Sequence, residues 1–139
     1  MEQIPIFLDT DVIISALISS KGAAFTILNN QMLQKIVSKY IVEEVTEVCR
    51  RLKISKQKQS TLKNLTQISV QLKKEELMKT FAGYVLDQED CHVVAGAVIS
   101  GTKFLLTYNL KDYRTLKISN DLSVMVMSPG TFLQYLRSL

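Results

Sequence analysis

A short apolar run near the N-terminus constrains the fold more than any other feature of this sequence. Residues 4–8 read Ile-Pro-Ile-Phe-Leu and carry no charge before Asp9. An apolar run of this length, without alternation between apolar and polar positions, is typical of a strand buried on both faces. Both faces of a sheet are buried only where helices cover them, so this run predicts an α/β fold with a mainly parallel sheet.

Further short apolar segments alternate with helical patterns along the chain, as an α/β fold requires. Strands are predicted at 36–37, 103–107 and 122–127. Helices are predicted at 12–17, 23–33, 39–53, 60–72, 75–84, 88–100 and 129–137. A chain of 139 residues is the size of one domain. We therefore expect a single domain spanning residues 1–139.

Composition excludes several classes of protein and of site. Cys49 and Cys91 match no metal or redox spacing, so we expect a reducing environment without disulfides. The single histidine, His92, rules out sites with two histidine ligands and is expected to be an ordinary first-turn residue. No Gly-rich phosphate loop, secretory signal or membrane-spanning run is recognisable. These features predict a soluble, cytoplasmic protein with no membrane partner.

The first candidate site residue follows the first predicted strand. Parallel sheets place their sites at the carboxyl ends of the strands, which singles out Asp9 and the stretch 107–112. Thr10 or Asp11 is able to cap the next helix, so Asp9 is left without a structural role. We therefore predict that Asp9 is functional and that Asp11 acts mainly as a cap.

Two further carboxylates are placed by helical periodicity. Glu44 falls just outside the apolar face of helix 39–53, where its carboxylate is able to reach a crevice at the rim of the core. Asp90 shares a face with apolar residues of its own helix and points toward the sheet, with Asp87 as the cap. A carboxylate aimed inward needs a partner, and a metal ion is one candidate.

Chemistry and charge then suggest a ligand. Carboxylates with almost no histidine or cysteine form a hard-oxygen site that selects Mg²⁺ or Mn²⁺ and would support phosphodiester hydrolysis. Residues 50–79 carry nine basic and two acidic side chains, whereas the rest of the chain is acidic on balance. Such a segment suits a polyanion held beside a carboxylate site, although it is also compatible with a solvated helical face. The predicted nucleic-acid-binding residues are Arg50, Arg51, Lys53, Lys56 and Lys58.

Several segments, in this order and spacing, resemble a PIN domain, the nuclease fold of VapC-type toxins. They are 7–12, 40–45, 87–97, 104–113 and 124–133, so the resemblance covers nearly the whole chain. It places the family's first acid on Asp9, its helical glutamate on Glu44 and its third acid on Asp90. The place of the fourth acid is taken by Asn109, and Asp11 stands where asparagine is common.

The resemblance implies a three-layer α/β/α sandwich that binds Mg²⁺ or Mn²⁺ and cleaves single-stranded RNA. It also implies a toxin that is inhibited by a small antitoxin protein and that forms a homodimer. Asp9, Glu44 and Asp90 would be catalytic, with Asp9 and Asp90 holding the main ion and Glu44 assisting through water. We hypothesise that Asn109 shapes the pocket through its carbonyl oxygen and that Asp112 supplies the missing negative charge from the rim.

Two alternatives from other functional classes remain open. A catalytically silent PIN-like module would bind RNA through the basic segment without cleaving it. A small-molecule-binding α/β domain would use the crevice at the strand ends for an uncharged ligand. The presence of Asp9, Glu44 and Asp90 together favours a metal site over both.

Overall fold

A five-stranded parallel sheet forms the centre of the computed structural model, which describes residues 2–139. Its strands lie in the order β3-β2-β1-β4-β5, and all four neighbouring pairs are parallel. The strands are β1 (Ile4–Leu8), β2 (Leu33–Ser38), β3 (Leu65–Ile68), β4 (Phe104–Leu106) and β5 (Met125–Met127).

Helices cover both faces of this sheet and complete the three-layer α/β/α sandwich, so the predicted fold class is confirmed. Short 3₁₀ turns at Gln88–Asp90 and Leu110–Asp112 lie near the strand ends. The α-helices of the described chain are α1 (Thr10–Ile18), α2 (Ala23–Leu28), α3 (Lys39–Arg51), α4 (Lys56–Gln59), α5 (Lys74–Phe81), α6 (Cys91–Ile99), α7 (Thr115–Leu122) and α8 (Pro129–Arg137).

The central strand β1 is buried as its sequence predicts. Ile6, Phe7 and Leu8 are completely inaccessible to solvent, with β2 on one side and β4 on the other. Cys49 and Cys91 are buried and unpaired, as expected of core residues. Between residues 2 and 139, no helix is long and apolar enough to cross a bilayer.

One predicted helix is too long, because asparagines end it early. The helix expected at 23–33 stops at Leu28, where the Asn29 side-chain amide donates to the Phe25 carbonyl at 2.9 Å. The side-chain oxygen of Asn30 then accepts from the backbone N–H of Met32 at 2.8 Å and turns the chain into β2.

Two other predictions near the sheet edges are wrong. The helix expected at 60–72 is a 3₁₀ turn at Ser60–Asn64 followed by β3, which pairs with β2 at the sheet edge and is only half-buried. The helix α7 was not predicted, and the strand expected at 122–127 begins only at Met125. Both edge strands are short, and their backbone pairing rather than a long apolar pattern holds them in the sheet.

Candidate active site

The carboxyl ends of β1 and β4 meet where the strand order reverses direction. Leu8 is paired with Leu106, so the next residues, Asp9 and Thr107, lie side by side. The backbone N–H of Asp9 donates to the Leu106 carbonyl at 3.0 Å and the Thr107 hydroxyl donates to Asp9 Oδ2 at 2.9 Å. This is the switch point at which parallel α/β sheets bind their ligands.

Asp9 itself caps α1, and the expectation that Thr10 or Asp11 does so is wrong. Its backbone is extended, and its Oδ1 accepts from the Thr10 N–H at 2.8 Å. Its Oδ2 accepts from the hydroxyls of Tyr113 at 2.7 Å and Thr107 at 2.9 Å. Burial raises the pKa of Asp9 above its ordinary value, although these three hydrogen bonds oppose the shift.

Asp11, predicted only as a cap, is held by the segment that follows β4. Its Oδ2 accepts from the Asn109 side-chain amide at 2.9 Å and from the Tyr108 backbone N–H at 3.1 Å, and lies 3.3 Å from the Thr107 hydroxyl. Burial, and then the charge of Asp9, raises the pKa of Asp11 to about 6. Asp11 therefore belongs to the group of carboxylates around Asp9.

Asp90 approaches the same strand ends from the opposite helix layer. It ends the 3₁₀ turn Gln88–Asp90 and precedes α6, and its side chain does not cap that helix. Asp87 is the cap of this turn, because its Oδ1 accepts from the Glu89 N–H at 3.0 Å. Burial, and then the charges of Asp9, Asp87 and Asp112, raises the pKa of Asp90 to about 6.

Glu44 is held from two sides at the rim. Its Oε1 accepts from the Thr10 hydroxyl at 2.7 Å, and its Oε2 lies 3.4 Å from Nε2 of His92. Partial burial raises the pKa of Glu44, but the contacts with His92 and Thr10 outweigh burial and hold the pKa below its usual range. His92 lies in the first turn of α6 as expected, but its ring packs against Tyr40, with 5.5 Å between the ring centroids.

All five residues predicted to bind metal line one cleft of about 330 Å³. We name it the metal cleft after its predicted role; five carboxylates and no lysine or arginine line it. The sequence did not predict Asp11 and Tyr113 as site residues. Thr107, whose hydroxyl donates to Asp9 Oδ2, does not line the cleft but belongs to the stretch 107–112 that was predicted to lie at the strand ends. The lining residues are Asp9, Thr10, Asp11, Ile14, Glu44, Val48, Asp90, Asn109, Asp112 and Tyr113.

The donor chemistry of the metal cleft fits a hard divalent cation. Carboxylate and amide oxygens are the ligands that Mg²⁺ and Mn²⁺ prefer. Two of the carboxyl groups, Asp11 and Asp90, have raised pKa values because neighbouring negative charges add to their burial. Within residues 2–139 no three acidic, histidine or cysteine side chains converge as a ready-made ligand set. The Asp9 and Asp11 carboxylates are instead hydrogen-bonded to neighbouring protein groups.

The predicted nucleic-acid-binding residues lie outside the metal cleft. Arg50 and Arg51 end α3, Lys53 follows it in a left-handed conformation, and Lys56 and Lys58 belong to α4. Arg50 is paired with Glu47, with Nη2 at 2.6 Å from Oε1, which offsets part of its charge. At 1.5 Å per helical residue, Arg51 lies about 10 Å along the α3 axis from Glu44.

A larger groove between α3 and α5 adjoins the metal cleft. It measures about 560 Å³ and shares Thr10, Glu44 and Val48 with that cleft. Its remaining walls combine apolar and acidic side chains, with Lys74 as the one lysine or arginine among them. These residues of the α3–α5 groove are Tyr40, Glu43, Glu47, Lys74, Leu77, Met78, Gln88, Glu89, Cys91 and His92.

Solved structures of several other proteins share this fold. A toxin–antitoxin complex from Klebsiella pneumoniae superposes with a TM-score of 0.66 and 19% identity, over 89% of this chain and 97% of that one. PAE2754 from Pyrobaculum aerophilum superposes with a TM-score of 0.64 and 11% identity, over 98% of this chain and 91% of that one. VapBC2 from Rickettsia felis, bound to a DNA fragment from its promoter, superposes with a TM-score of 0.60 and 15% identity. The match covers 88% of this chain and 97% of that one.

Sequence comparison identifies the family. No curated protein matches the sequence. The family model described as PIN domain matches residues 5–111, which include β4, all of β1 but Ile4, and every residue of the metal cleft except Asp112 and Tyr113. The match spans most of the 139 residues, and the chain therefore belongs to the PIN domain family.

Proposed function

We propose that this PIN domain is a metal-dependent endoribonuclease that hydrolyses phosphodiester bonds in single-stranded RNA. The observation that carries the proposal is the metal cleft, in which five carboxylates from distant parts of the chain line one space without a lysine or arginine. Such a concentration of negative charge is costly unless a cation shares it. The choice of RNA as substrate is supported by the family resemblance.

Each side chain has a distinct part in this proposal. Asp9 and Asp90 would hold Mg²⁺ or Mn²⁺, which polarises phosphate oxygens and lowers the pKa of water when bound. Glu44 remains ionised at neutral pH because the contacts with Thr10 and His92 keep its pKa low. It is therefore able to accept a hydrogen bond from the attacking water and orient it.

A cleavage assay tests the proposal directly. The purified chain is incubated with single-stranded RNA, duplex RNA or single-stranded DNA, each with Mg²⁺, Mn²⁺ or excess chelator. Cleavage of single-stranded RNA that requires the metal supports the proposal, whereas cleavage in excess chelator contradicts it. RNA binding without cleavage would favour the silent RNA-binding module, and the absence of both would favour a small-molecule-binding domain.

The raised pKa values predict a metal effect on stability that grows with pH. A carboxyl group whose pKa is raised by folding stabilises the protein while protonated, and this contribution is lost as pH rises through the folded-state pKa. For Asp11 and Asp90 that pKa is about 6. We therefore expect the Tm of the metal-free protein to fall between pH 5 and about 7.5, and Mn²⁺ to reverse much of the fall.

Thermal unfolding with and without Mn²⁺ at several pH values measures this effect. In Asp90→Asn, the metal-free Tm should depend less on pH, because one of the carboxyl groups with a raised pKa no longer titrates. A metal-induced rise in Tm that is the same at pH 5 and at pH 7.5 would contradict the expectation.

The basic segment predicts salt-dependent RNA binding. Neutralising Lys53, Lys56 and Lys58 to glutamine should lower the slope of log affinity against log salt by roughly 2, since each phosphate contact on a single strand contributes about 0.7. Filter binding at several salt concentrations gives the slope. Lys103→Gln, at the amino end of β4 and so at the end of the sheet away from the metal cleft, is the control and should leave the slope unchanged. A triple variant with the wild-type slope would make this segment an ordinary solvated face.

We also propose that the chain is the toxin of a toxin–antitoxin pair. One structure with this fold is a toxin–antitoxin complex, and another is VapBC2 bound to promoter DNA. The α3–α5 groove supports a protein partner, because Leu77 and Met78 offer an apolar floor, while Glu43 and the ion-paired Glu47 and Glu89 line its walls. An antitoxin segment with apolar and basic side chains would fit this surface. A homodimer is the second assembly that the resemblance implies.

A further inference from the structure

Asp11 carries the one buried carboxylate oxygen in the described chain that has no hydrogen-bond partner. Its Oδ1 is inaccessible to solvent and accepts no hydrogen bond from residues 2–139; the Val12 backbone N–H, a donor near this carboxylate, is bonded to the Asp9 carbonyl at 3.2 Å. Nearly all buried polar atoms in folded proteins are paired, so an unpaired carboxylate oxygen needs an explanation. The same side chain lines the metal cleft beside Asp9 and Asp90.

The other oxygen of Asp11 fixes the orientation of the carboxylate. Oδ2 accepts from the Asn109 side-chain amide at 2.9 Å and from the Tyr108 backbone N–H at 3.1 Å. Asn109 is itself held in place, because its backbone N–H donates to the Thr107 hydroxyl oxygen at 3.1 Å. Thr107 Oγ1 lies 2.9 Å from Asp9 Oδ2 and 3.3 Å from Asp11 Oδ2, so the two carboxylates share a hydroxyl neighbour.

We propose that Asp11 supplies a metal-binding carboxylate of this cleft and that Asn109 is its positioning residue. The inference rests on the proposed metal site and adds a ligand to it. Two donors on Oδ2 leave Oδ1 as the coordinating atom, on a carboxylate that has the Thr107 hydroxyl as a neighbour in common with Asp9. Asn109 acts through Asp11, so the negative charge near β4 comes from the first turn of α1. Asp112 then contributes from the rim and to a smaller extent.

The hydrogen bond between Asp11 and Asn109 permits a charge-exchange experiment. Asp11→Asn removes the charge of a ligand and should weaken Mn²⁺ binding, as measured by calorimetry, by at least the roughly 10- to 100-fold that is typical when an outer-shell partner is lost. Adding Asn109→Asp returns one carboxylate and one amide to the same pair and should restore most of the affinity. Asn109→Asp alone should bind Mn²⁺ at least as tightly as the wild type, since it adds a charge to the cleft.

Matched variants make the outcome decisive. Asp121→Asn, on α7 and outside the metal cleft, should bind Mn²⁺ like the wild type. Asn109→Ala removes only the positioning amide and should weaken binding less than Asp11→Asn does. It also serves as the test if Asp11→Asn does not fold, and wild-type affinity in this variant would then overturn the proposal. The metal-induced rise in Tm provides a second readout that is independent of RNA cleavage.

The results separate this proposal from the proposed function. Wild-type Mn²⁺ affinity in Asp11→Asn, together with weak binding in Asp90→Asn, would overturn the role of Asp11 and leave the metal site standing. A larger loss in Asp112→Asn than in Asp11→Asn would also overturn it. Wild-type affinity in both Asp11→Asn and Asp90→Asn would reject the metal cleft, and with it the proposed nuclease.

Discussion

Asp90→Asn should reduce RNA cleavage at least 100-fold while the protein remains folded. Removal of a metal-binding charge costs several kcal/mol of transition-state stabilisation, and each 1.36 kcal/mol corresponds to a factor of ten in rate. Asparagine has nearly the same shape as aspartate, and the Asp90 side chain does not cap α6. The raised pKa of Asp90 shows that the folded protein disfavours its charge, so the metal-free variant should be slightly more stable than the wild type.

Cleavage rate and Tm must be measured together for this variant. Asp121→Asn is the matched control, because Asp121 accepts from the Tyr84 hydroxyl at 3.0 Å and does not line the metal cleft. It should cleave like the wild type. A folded Asp90→Asn protein that cleaves at an undiminished rate would refute the proposed mechanism.

Asp9→Asn tests the same metal-binding role, but it also changes structural hydrogen bonds. We expect an equally large loss of cleavage, since Asp9 lies at the centre of the site. However, Asp9 also caps α1 and accepts from Tyr113 and Thr107. An asparagine there keeps one oxygen for the cap and turns an amide toward two hydroxyls, which must rotate to accept from it. A loss of stability should therefore accompany the loss of activity.

Local sequence patterns were sufficient to predict the central strand and the main carboxylates. β1 is recognisable because an uninterrupted apolar run ends at an acidic residue, and parallel sheets place sites at such ends. Glu44 and Asp90 follow from helical periodicity, which shows the side of a helix on which a residue lies. The structure brings Asp9, Glu44 and Asp90 into the same cleft.

Other features depend on contacts between distant parts of the chain and leave little trace in local patterns. Tyr113 donates to Asp9 across 104 residues, and Asn109 donates to Asp11 across 98. β3 is stabilised by pairing with β2, while its own four residues are too few and too exposed to show a strand pattern. Pairing partners and the partners of buried polar groups are set by the tertiary fold, so the sequence alone did not predict them.

The second large effect is expected at Gly96, where α6 lies closest to the sheet. α6 packs on β1 and β4, and a Cβ atom at Gly96 would overlap Cζ of the fully buried Phe7 and lie 2.7 Å from its Cε2. In an exposed helix, replacing glycine with alanine is favourable by about 1 kcal/mol. At this position the overlap should dominate, and Gly96→Ala should lower the free energy of unfolding by about 1–3 kcal/mol.

Denaturant unfolding measures this loss, and α8 provides a control. Gly130 is also helical, and a Cβ atom there would meet nothing within 4 Å. Gly130→Ala should therefore leave stability unchanged or increase it. If Gly96→Ala were as stable as Gly130→Ala, the close approach of α6 to β1 would not be what requires glycine at this position.

A second substitution at Phe7 should rescue Gly96→Ala, because leucine lacks the ring atoms that the new methyl group would meet. In a double-mutant cycle with Phe7→Leu, we expect a favourable coupling energy of about 0.5–3 kcal/mol.

Phe7 lies two residues before Asp9, and Gly96 lies six residues after Asp90. We therefore expect the same contact to help set the distance between the two main carboxylates, so that Gly96→Ala weakens Mn²⁺ binding as well as stability. Recovery of both quantities in the double variant would show that the packing of α6 on β1 positions the metal cleft, whereas recovery of stability alone would show that the cleft is positioned by other contacts.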